Sequence, residues 1–398
     1  MVEALVKSKP KDVLPFLARW CAQQGSATQY PSLLAPVQLG DLKLKNRCVL
    51  AALTRGRSGP TRVPNEANQL YYEQRAGFGL VMSEATAVSH RANGWGGAPG
   101  IYTAEMAAGW KAVTDRVHAA GSLMVCQLWY VGRQSHSSFM PNGEQIVSAS
   151  DIPCAGDGVY TATGEKVPYE VPRPLTVQEI ADTVEEYGVA AQFAKDAGFD
   201  GVEVHSANGY LMDQFLQSCS NNRTDEYGGG VEGRARFLRE VLERVLKVWP
   251  AGRVGIKLSP NGAYGGMGSA DNTETFTYVL KMLDPYRLAY AQVVDGLSFG
   301  FHEKCPQMTL EDVRKVYSGP VMGNCGYTAD SAEAAIAANH ADCVSFGRPS
   351  LSNPDFVERV HNGWALAPDA PLSDWFVMDE AHATDPHLGY TTYPAHAS

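Results

Sequence analysis

The sequence has no apolar run long enough to cross a bilayer, which as a helix takes about 20 consecutive apolar residues. An integral membrane protein is therefore not expected. Positive charge is not in excess either. Lys and Arg number 33 against 43 Asp and Glu, a net charge of −10, and no basic stripe is present to neutralise a phosphate backbone. Nucleic acid is thus not an expected partner. The eight cysteines show no Cys-x-x-Cys and no Cys/His cluster with zinc or iron–sulfur spacing, so no metal site is expected. They do not form a disulfide framework: Cys48, Cys126, Cys325 and Cys343 lie in or beside apolar runs, which suits small buried residues of a reducing compartment. A cytoplasmic location is expected, with an organelle left open. Residues 1–29 contain Glu3 and Asp12 and lack a long apolar core, which argues against a secretory signal. A short amphipathic helix is predicted around Val13–Cys21.

What is present is a large core. Hydrophobic residues make up 44% of the chain and charged residues 19%, an ordinary balance for a globular enzyme. Short apolar runs alternate with longer amphipathic ones. The runs Cys48–Leu53, Leu80–Glu84, Leu123–Trp129, Gly201–His205, Val254–Leu258, Tyr290–Asp295, Pro320–Asn324 and Cys343–Phe346 are predicted strands. Several are continuously apolar, as parallel strands covered on both faces must be. Thr176 and Glu179 form a capping box before an apolar stripe of Ile180, Val184, Tyr187, Ala191 and Ala194. Asn65, Thr309 and Thr328 are placed to cap three further helices, and a helix near Val231–Trp249 has Phe237, Val241, Val245 and Val248 on one face. Eight strand–helix units predict an α/β fold, a (β/α)8 TIM barrel. Val37–Leu44 alternates around Gly40-Asp41 and reads as an N-terminal β-hairpin closing the barrel bottom. Residues 131–175, rich in Gly, Pro and Ser, form a long insertion after strand 3, expected to be a lid. The expected division is an N-terminal extension over 1–29, one barrel over 30–394 and a tail over 395–398.

Barrel enzymes work at the C-terminal ends of their strands. There this chain places Thr54-Arg55, Glu84-Ala85, Gln127 and Trp129, then His205, Asn208 and Tyr210, then Lys257, Asp295, Asn324-Cys-Gly326 and Gly347-Arg348. His205-Ser-Ala-Asn-Gly-Tyr210 is the densest cluster. Two of its groups can donate to a carbonyl oxygen and its phenol can deliver a proton. Such a set suits reduction of an activated alkene if another group supplies electrons. Gly326, Gly347 and Arg348, after strands seven and eight, suit a phosphate. Glu84, Glu203 and Asp295 leave glycoside hydrolysis as a minor possibility.

These residues carry a resemblance. Ala52-Leu-Thr-Arg55, Gln127-Leu-Trp129, Gly201-Val-Glu-Val-His-Ser-Ala-Asn-Gly-Tyr-Leu211, Asn222-Arg-Thr-Asp-Glu-Tyr-Gly-Gly229, Leu258-Ser-Pro260, Phe346-Gly-Arg348, Asn353-Pro-Asp355 and Gly389-Tyr390 stand in order over nearly the whole span from Pro36 to Pro394. In them the chain resembles the Old Yellow Enzyme family, FMN-dependent ene-reductases that include plant 12-oxophytodienoate reductases. The resemblance implies an FMN across the barrel mouth, contacted by Ala52, Leu53, Thr54, Ala85, Gln127, His205, Lys257, Asn324, Gly326, Gly347 and Arg348. It implies NADPH or NADH as electron donor and an enone or enal as substrate. His205 and Asn208 would hold the substrate oxygen, Tyr210 would be the proton donor, and Trp129 and Thr54 would complete the substrate wall. A monomer or homodimer is expected.

The chain departs from the family pattern at four places. Lys257 stands where most relatives have arginine, keeping the charge but losing the forked geometry. Val377 replaces a frequent aromatic, Tyr130 follows Gln-Leu-Trp where some relatives have histidine, and Ala52 replaces a frequent proline. Two alternatives remain at this level: a Schiff-base aldolase using Lys257, and a non-catalytic FMN-binding redox or light sensor.

Overall fold

The computed structural model describes residues 28–296, 300–377 and 380–397. The helix predicted around Val13–Cys21 lies outside the described residues. Eight parallel strands close into a barrel: β1 (Cys48–Leu50), β2 (Leu80–Met82), β3 (Leu123–Trp129), β4 (Gly201–Ser206), β5 (Val254–Leu258), β6 (Tyr290–Val294), β7 (Val321–Asn324) and β8 (Cys343–Phe346). Each pairs with its sequence neighbours, and β8 closes on β1 with Val344 opposite Cys48 and Phe346 opposite Leu50. All residues of β1, β2 and β4 to β8 are buried. Their continuous apolar character therefore follows from helices outside and packed side chains inside.

The strands predicted as Cys48–Leu53 and Leu80–Glu84 stop at Leu50 and Met82. Beyond those points a side chain takes over from the ladder: the buried Glu84 carboxylate accepts the backbone N–H groups of Arg55 (2.9 Å) and Gly56 (3.0 Å). The chain can then leave the sheet with its donors satisfied.

Helices α1 (Glu66–Gln74), α2 (Ala104–Ala119), α3 (Val177–Asp196), α4 (Val231–Leu246), α5 (Asn272–Leu283), α6 (Leu310–Arg314), α7 (Ala329–Ala337) and α8 (Phe356–Asn362) follow the strands in turn. The capping box at Thr176 and Glu179 starts α3, and Asn65, Thr309 and Thr328 start α1, α6 and α7 by accepting backbone N–H groups. On α4, Phe237, Val241 and Val245 are fully buried, each worth about 1.5–3 kcal/mol of transfer free energy. Val248, predicted to continue that face, lies past the helix end and is only partly buried.

The hairpin pairs Val37–Leu39 with Leu42–Leu44 and plugs the barrel bottom. Leu39, Leu42 and Leu44 pack with Val49, Leu80, Met82, Val125, Tyr290 and Met322. Gly40 is required at its tip: φ is +55°, and a Cβ there would sit 2.5 Å from the Gly252 carbonyl oxygen. The insertion after β3 is folded through short 3-10 turns and two small two-stranded sheets, one of which joins Val147–Ser148 to Arg173–Pro174. Among the described residues, no helix is long and apolar enough to cross a membrane, and no group of three His, Cys, Asp or Glu could hold a metal ion.

Candidate active site

A cavity of about 480 Å³ opens at the C-terminal ends of the strands, and every barrel strand, or the loop leaving it, contributes to its wall. Ala52, Leu53, Thr54, Ala85, Gln127, His205, Asn208, Tyr210, Lys257, Asn324, Gly326, Gly347 and Arg348 all line it. Trp129 does not. It is fully buried one layer back, with its ring edge-on to Tyr210 at 5.1 Å between centroids. Cys325, read as a small buried residue, instead lines the cavity and is partly exposed.

The β4 strand delivers His205, and the turn after it delivers the other two groups. Asn208 adopts φ +57° and Gly209 φ +72°, a left-handed pair that an asparagine and a glycine tolerate. Buried Asp213 fixes this turn. It accepts the Gly209 N–H at 2.8 Å and the Ser259 hydroxyl at 3.3 Å, while Ser259 accepts the Asn208 N–H at 2.7 Å. Asn208 does not cap the short helix Leu211–Leu216 that follows; Tyr210 holds that position without a side-chain bond. The Asn208 amide is thereby left to the cavity.

Two of the lining residues are glycines. Gly326 has φ +79°, and the place of its missing Cβ is open space, while a Cβ on Gly347 would meet Leu53 at 3.3 Å. Asp295 braces the loop after β7 by accepting the Asn324 N–H (3.2 Å) and the Tyr327 hydroxyl (2.6 Å). The Arg348 guanidinium stacks 5.0 Å over Trp375 from the C-terminal segment.

The sequence profile of the NADH:flavin oxidoreductase / NADH oxidase family matches residues 32–367. The chain belongs to this family. It is 36% identical to 12-oxophytodienoate reductase 2 of Arabidopsis thaliana over 373 residues, 93% of this chain and 97% of that one. Among solved structures it is similar to an old yellow enzyme homologue from Zymomonas mobilis, with TM-score 0.86 and 38% identity over 92% of this chain and all of that one. It is also similar to morphinone reductase in complex with tetrahydroNAD, with TM-score 0.84 and 41% identity over 92% and 98% of the two chains. The protein is an FMN-dependent oxidoreductase of the Old Yellow Enzyme type.

The wall of this flavin oxidoreductase fits its cofactor. His205 is buried and its Nδ1 has no hydrogen-bond partner in the protein, as suits a buried polar atom completed by a bound ligand or water. Lys257 provides a buried cation directly across the β4–β5 register from His205. Burial pulls the Lys257 ammonium below its usual range, and the neighbouring Glu203 carboxyl pulls it back. Burial first, and then the Lys257 charge, hold the His205 imidazole well below its ordinary value. His205 is therefore neutral near pH 7 and can donate one N–H. Tyr210 is pushed well above the usual phenol range by burial and then by the phenols of Tyr264 and Tyr169.

The three carboxylates that left glycoside hydrolysis open do not line the cavity. Glu84 and Asp295 brace loops, and Glu203 accepts from Gln127 Nε2 at 2.7 Å. The cavity also holds residues that the strand pattern did not single out: Trp95, Tyr264, Tyr327, Trp375 and Phe376. Tyr264 and Tyr327 belong to loops at the strand ends and could have been found by reading further past Leu258 and Asn324. Trp375 and Phe376 arrive from a C-terminal segment without periodicity.

Proposed function

We propose that this oxidoreductase is an ene-reductase that saturates the C=C bond of α,β-unsaturated carbonyl compounds at the expense of NADPH or NADH. The observation that carries the reading is the convergence on one cavity wall of two hydrogen-bond donors and a phenol, His205, Asn208 and Tyr210. FMN, when bound, would supply the hydride-transfer chemistry that links the nicotinamide to the substrate C=C bond. Thr54, Ala52, Leu53, Ala85, Gln127, Lys257 and Asn324 would hold its ring end, and Gly326, Gly347 and Arg348 its phosphate.

The remaining chemistry belongs to the protein. As hydride adds to the β-carbon, negative charge grows on the carbonyl oxygen. The neutral His205 N–H and the Asn208 amide donate to that oxygen, and each such preorganised donor is worth about 2.7–4 kcal/mol of barrier. Tyr210 delivers the proton to the α-carbon, a contribution of about 10²–10⁴-fold. Trp129 supports this phenol from behind. The insertion 131–175 serves as the lid of a single barrel domain spanning 30–394. Arg133 supports this role by tying the insertion to the loop after β5, donating to the Gly265 carbonyl at 3.0 Å.

Family membership favours this reading over a Schiff base on Lys257 and over a non-catalytic sensor. The test is the visible spectrum of the purified protein, followed by anaerobic reduction with NADPH and reoxidation by a small panel of enones. A protein unable to take up FMN, or a reduced flavin that no enone reoxidises, overturns it. Borohydride trapping of a carbonyl compound on Lys257 would instead support the aldolase alternative.

A further inference from the structure

The carboxylate that fixes the turn after β4 is the middle of a longer chain of hydrogen bonds. Asp213 lies fully buried in the short helix Leu211–Leu216, and its two oxygens meet different partners. Oδ2 accepts the Gly209 N–H and the Ser259 hydroxyl. Oδ1 accepts from Gln217 Nε2 at 2.9 Å. Gln217 is fully buried too, and the other end of its amide, Oε1, accepts the backbone N–H of Gly268 at 2.8 Å and Asn272 Nδ2 at 3.1 Å. The chain thus joins the turn bearing Asn208 and Tyr210 to the loop that follows β5.

Its direction is fixed from both ends. A backbone N–H can only donate, and one stands at each end, Gly209 and Gly268. The Gln217 amide cannot turn over without aiming its NH2 at the Gly268 N–H. Its Nε2 therefore points at Asp213, and both carboxyl oxygens accept, as only the ionised form does freely. A proton on Oδ1 would face the Gln217 NH2. A proton on Oδ2 would point to Ser259, whose own hydrogen would lose its acceptor, and Gly209 would then bond a neutral oxygen, roughly half as strongly. Burial opposes the charge and raises the Asp213 carboxyl from an ordinary 3.8 to about 6, against the bonds from Gln217, Gly209 and Ser259 and the Arg133 charge. Arg133, from the insertion, is the charged group facing Asp213. The end of β5 presents the Ser259 hydroxyl, and the imidazole of His302 meets the chain one side chain farther on, 3.1 Å from Asn272 Nδ2.

We propose that Asp213 is a positioning residue for the enone half-reaction: its ionised form holds the Asn208–Tyr210 turn in place, and its protonation loosens that turn. The inference rests on the reading of Asn208 and Tyr210 as oxygen-binding donor and acid. Asp213 touches neither substrate nor flavin. It acts through the Gly209 N–H directly and through the Asn208 N–H by way of Ser259.

The experiment follows the FMN-loaded wild type, Asp213→Asn, and Asp213→Asn combined with Gln217→Glu, from mildly acidic to neutral pH. It reads anaerobic reoxidation by 2-cyclohexen-1-one in stopped flow and hydrogen exchange of the Gly209 amide. Asp213→Asn keeps the shape but sets one NH2 group against another donor. A displacement of about 1 Å at a reacting group can cost about 10²-fold, so this variant should reoxidise about 10- to 100-fold more slowly at neutral pH. Its Gly209 amide should also exchange faster. The double variant moves the carboxylate one place along the chain: the new amide donates to the new carboxylate, which still accepts from Gly268. Both readouts should therefore return close to wild type. Wild-type reoxidation and Gly209 protection should fall as pH drops through about 6, and that fall should be missing from Asp213→Asn. Wild-type rates in Asp213→Asn, or an acid fall of wild-type shape in it, overturn the proposal. A double variant that stays slow, or wild-type Gly209 protection that does not fall at acidic pH, overturns it even where the single variant does not fold. If no enone reoxidises the wild-type flavin, the ene-reductase reading fails instead, and Gly209 exchange alone then decides the role of Asp213.

Discussion

Replacing Glu203 by glutamine should change how stability depends on pH. Glu203 is fully buried in the barrel, level with Gln127 on β3 and Gly255 on β5. Burial pushes its carboxyl from an ordinary 4.5 up to about 7, against the opposing pull of the Lys257 charge and the hydrogen bond from Gln127. A carboxyl whose folded-state value is raised stabilises the fold fully below about pH 4.5. That contribution is lost as pH rises through about 7, because the folded protein must then hold a charge that the unfolded chain solvates freely. The gap from 4.5 to about 7, at about 1.4 kcal/mol per pH unit, amounts to about 3 kcal/mol. Glutamine never ionises, and its carbonyl can still accept from Gln127, whose present bond is 2.7 Å. In urea denaturation, E203Q and wild type should therefore differ little near pH 4. The variant should gain by about 3 kcal/mol as the pH passes neutrality. A difference that stays flat across this window would show that Glu203 does not titrate there, and the account of the polar layer beneath the cavity would fail.

Four further outcomes are expected. Tyr210→Phe should be reduced by NADPH normally but reoxidised by enones about 10²–10⁴-fold more slowly in stopped flow; equal rates would mean that another acid or water supplies the proton. Asn208→Ala should lower kcat for enones about 10²–10³-fold through loss of one donor to the oxygen, and a steady-state kcat unchanged from wild type would remove it from that role. Gly209→Ala should lose about 1–2 kcal/mol in thermal denaturation from the left-handed backbone alone. Its Cβ would also come within 2.8 Å of Gln134 Nε2 and Met267 Cγ, so an unshifted melting curve would contradict the turn geometry. Lys257→Met should lower the two-electron potential of the bound flavin, by about 30 mV for each 1.4 kcal/mol of lost charge stabilisation; dye equilibration showing no change would place the Lys257 charge out of reach of the ring.

The barrel and most of the candidate site were legible because local chemistry encodes them. The capping side chains at Asn65, Thr176, Thr309 and Thr328 mark helix starts through bonds made within three residues, and strand ends project side chains into the mouth whatever the loops do. Trp129 shows where this logic stops. It shares a strand face with Gln127 two residues earlier, so the alternation predicts a place on the cavity wall. Tyr210, returning from the turn after β4, stands edge-on to its ring and takes that place. The C-terminal wall was illegible for a related reason. Trp375 is held by a bond spanning most of the chain, Arg55 Nε donating to its carbonyl at 2.9 Å, and by Arg348 stacking on its ring. No periodicity announces such contacts. Lys257, conspicuous in sequence as a lone departure from arginine, gains meaning only from the register. It lies beside His205 on the neighbouring strand, one layer above Glu203. After burial, its charge helps to keep His205 neutral, and it lowers the burden of ionising Glu203. Any change at Lys257 therefore acts on His205, the donor proposed for the substrate oxygen, and on the pH range of stability together, so its effect on turnover is more than an effect on the flavin.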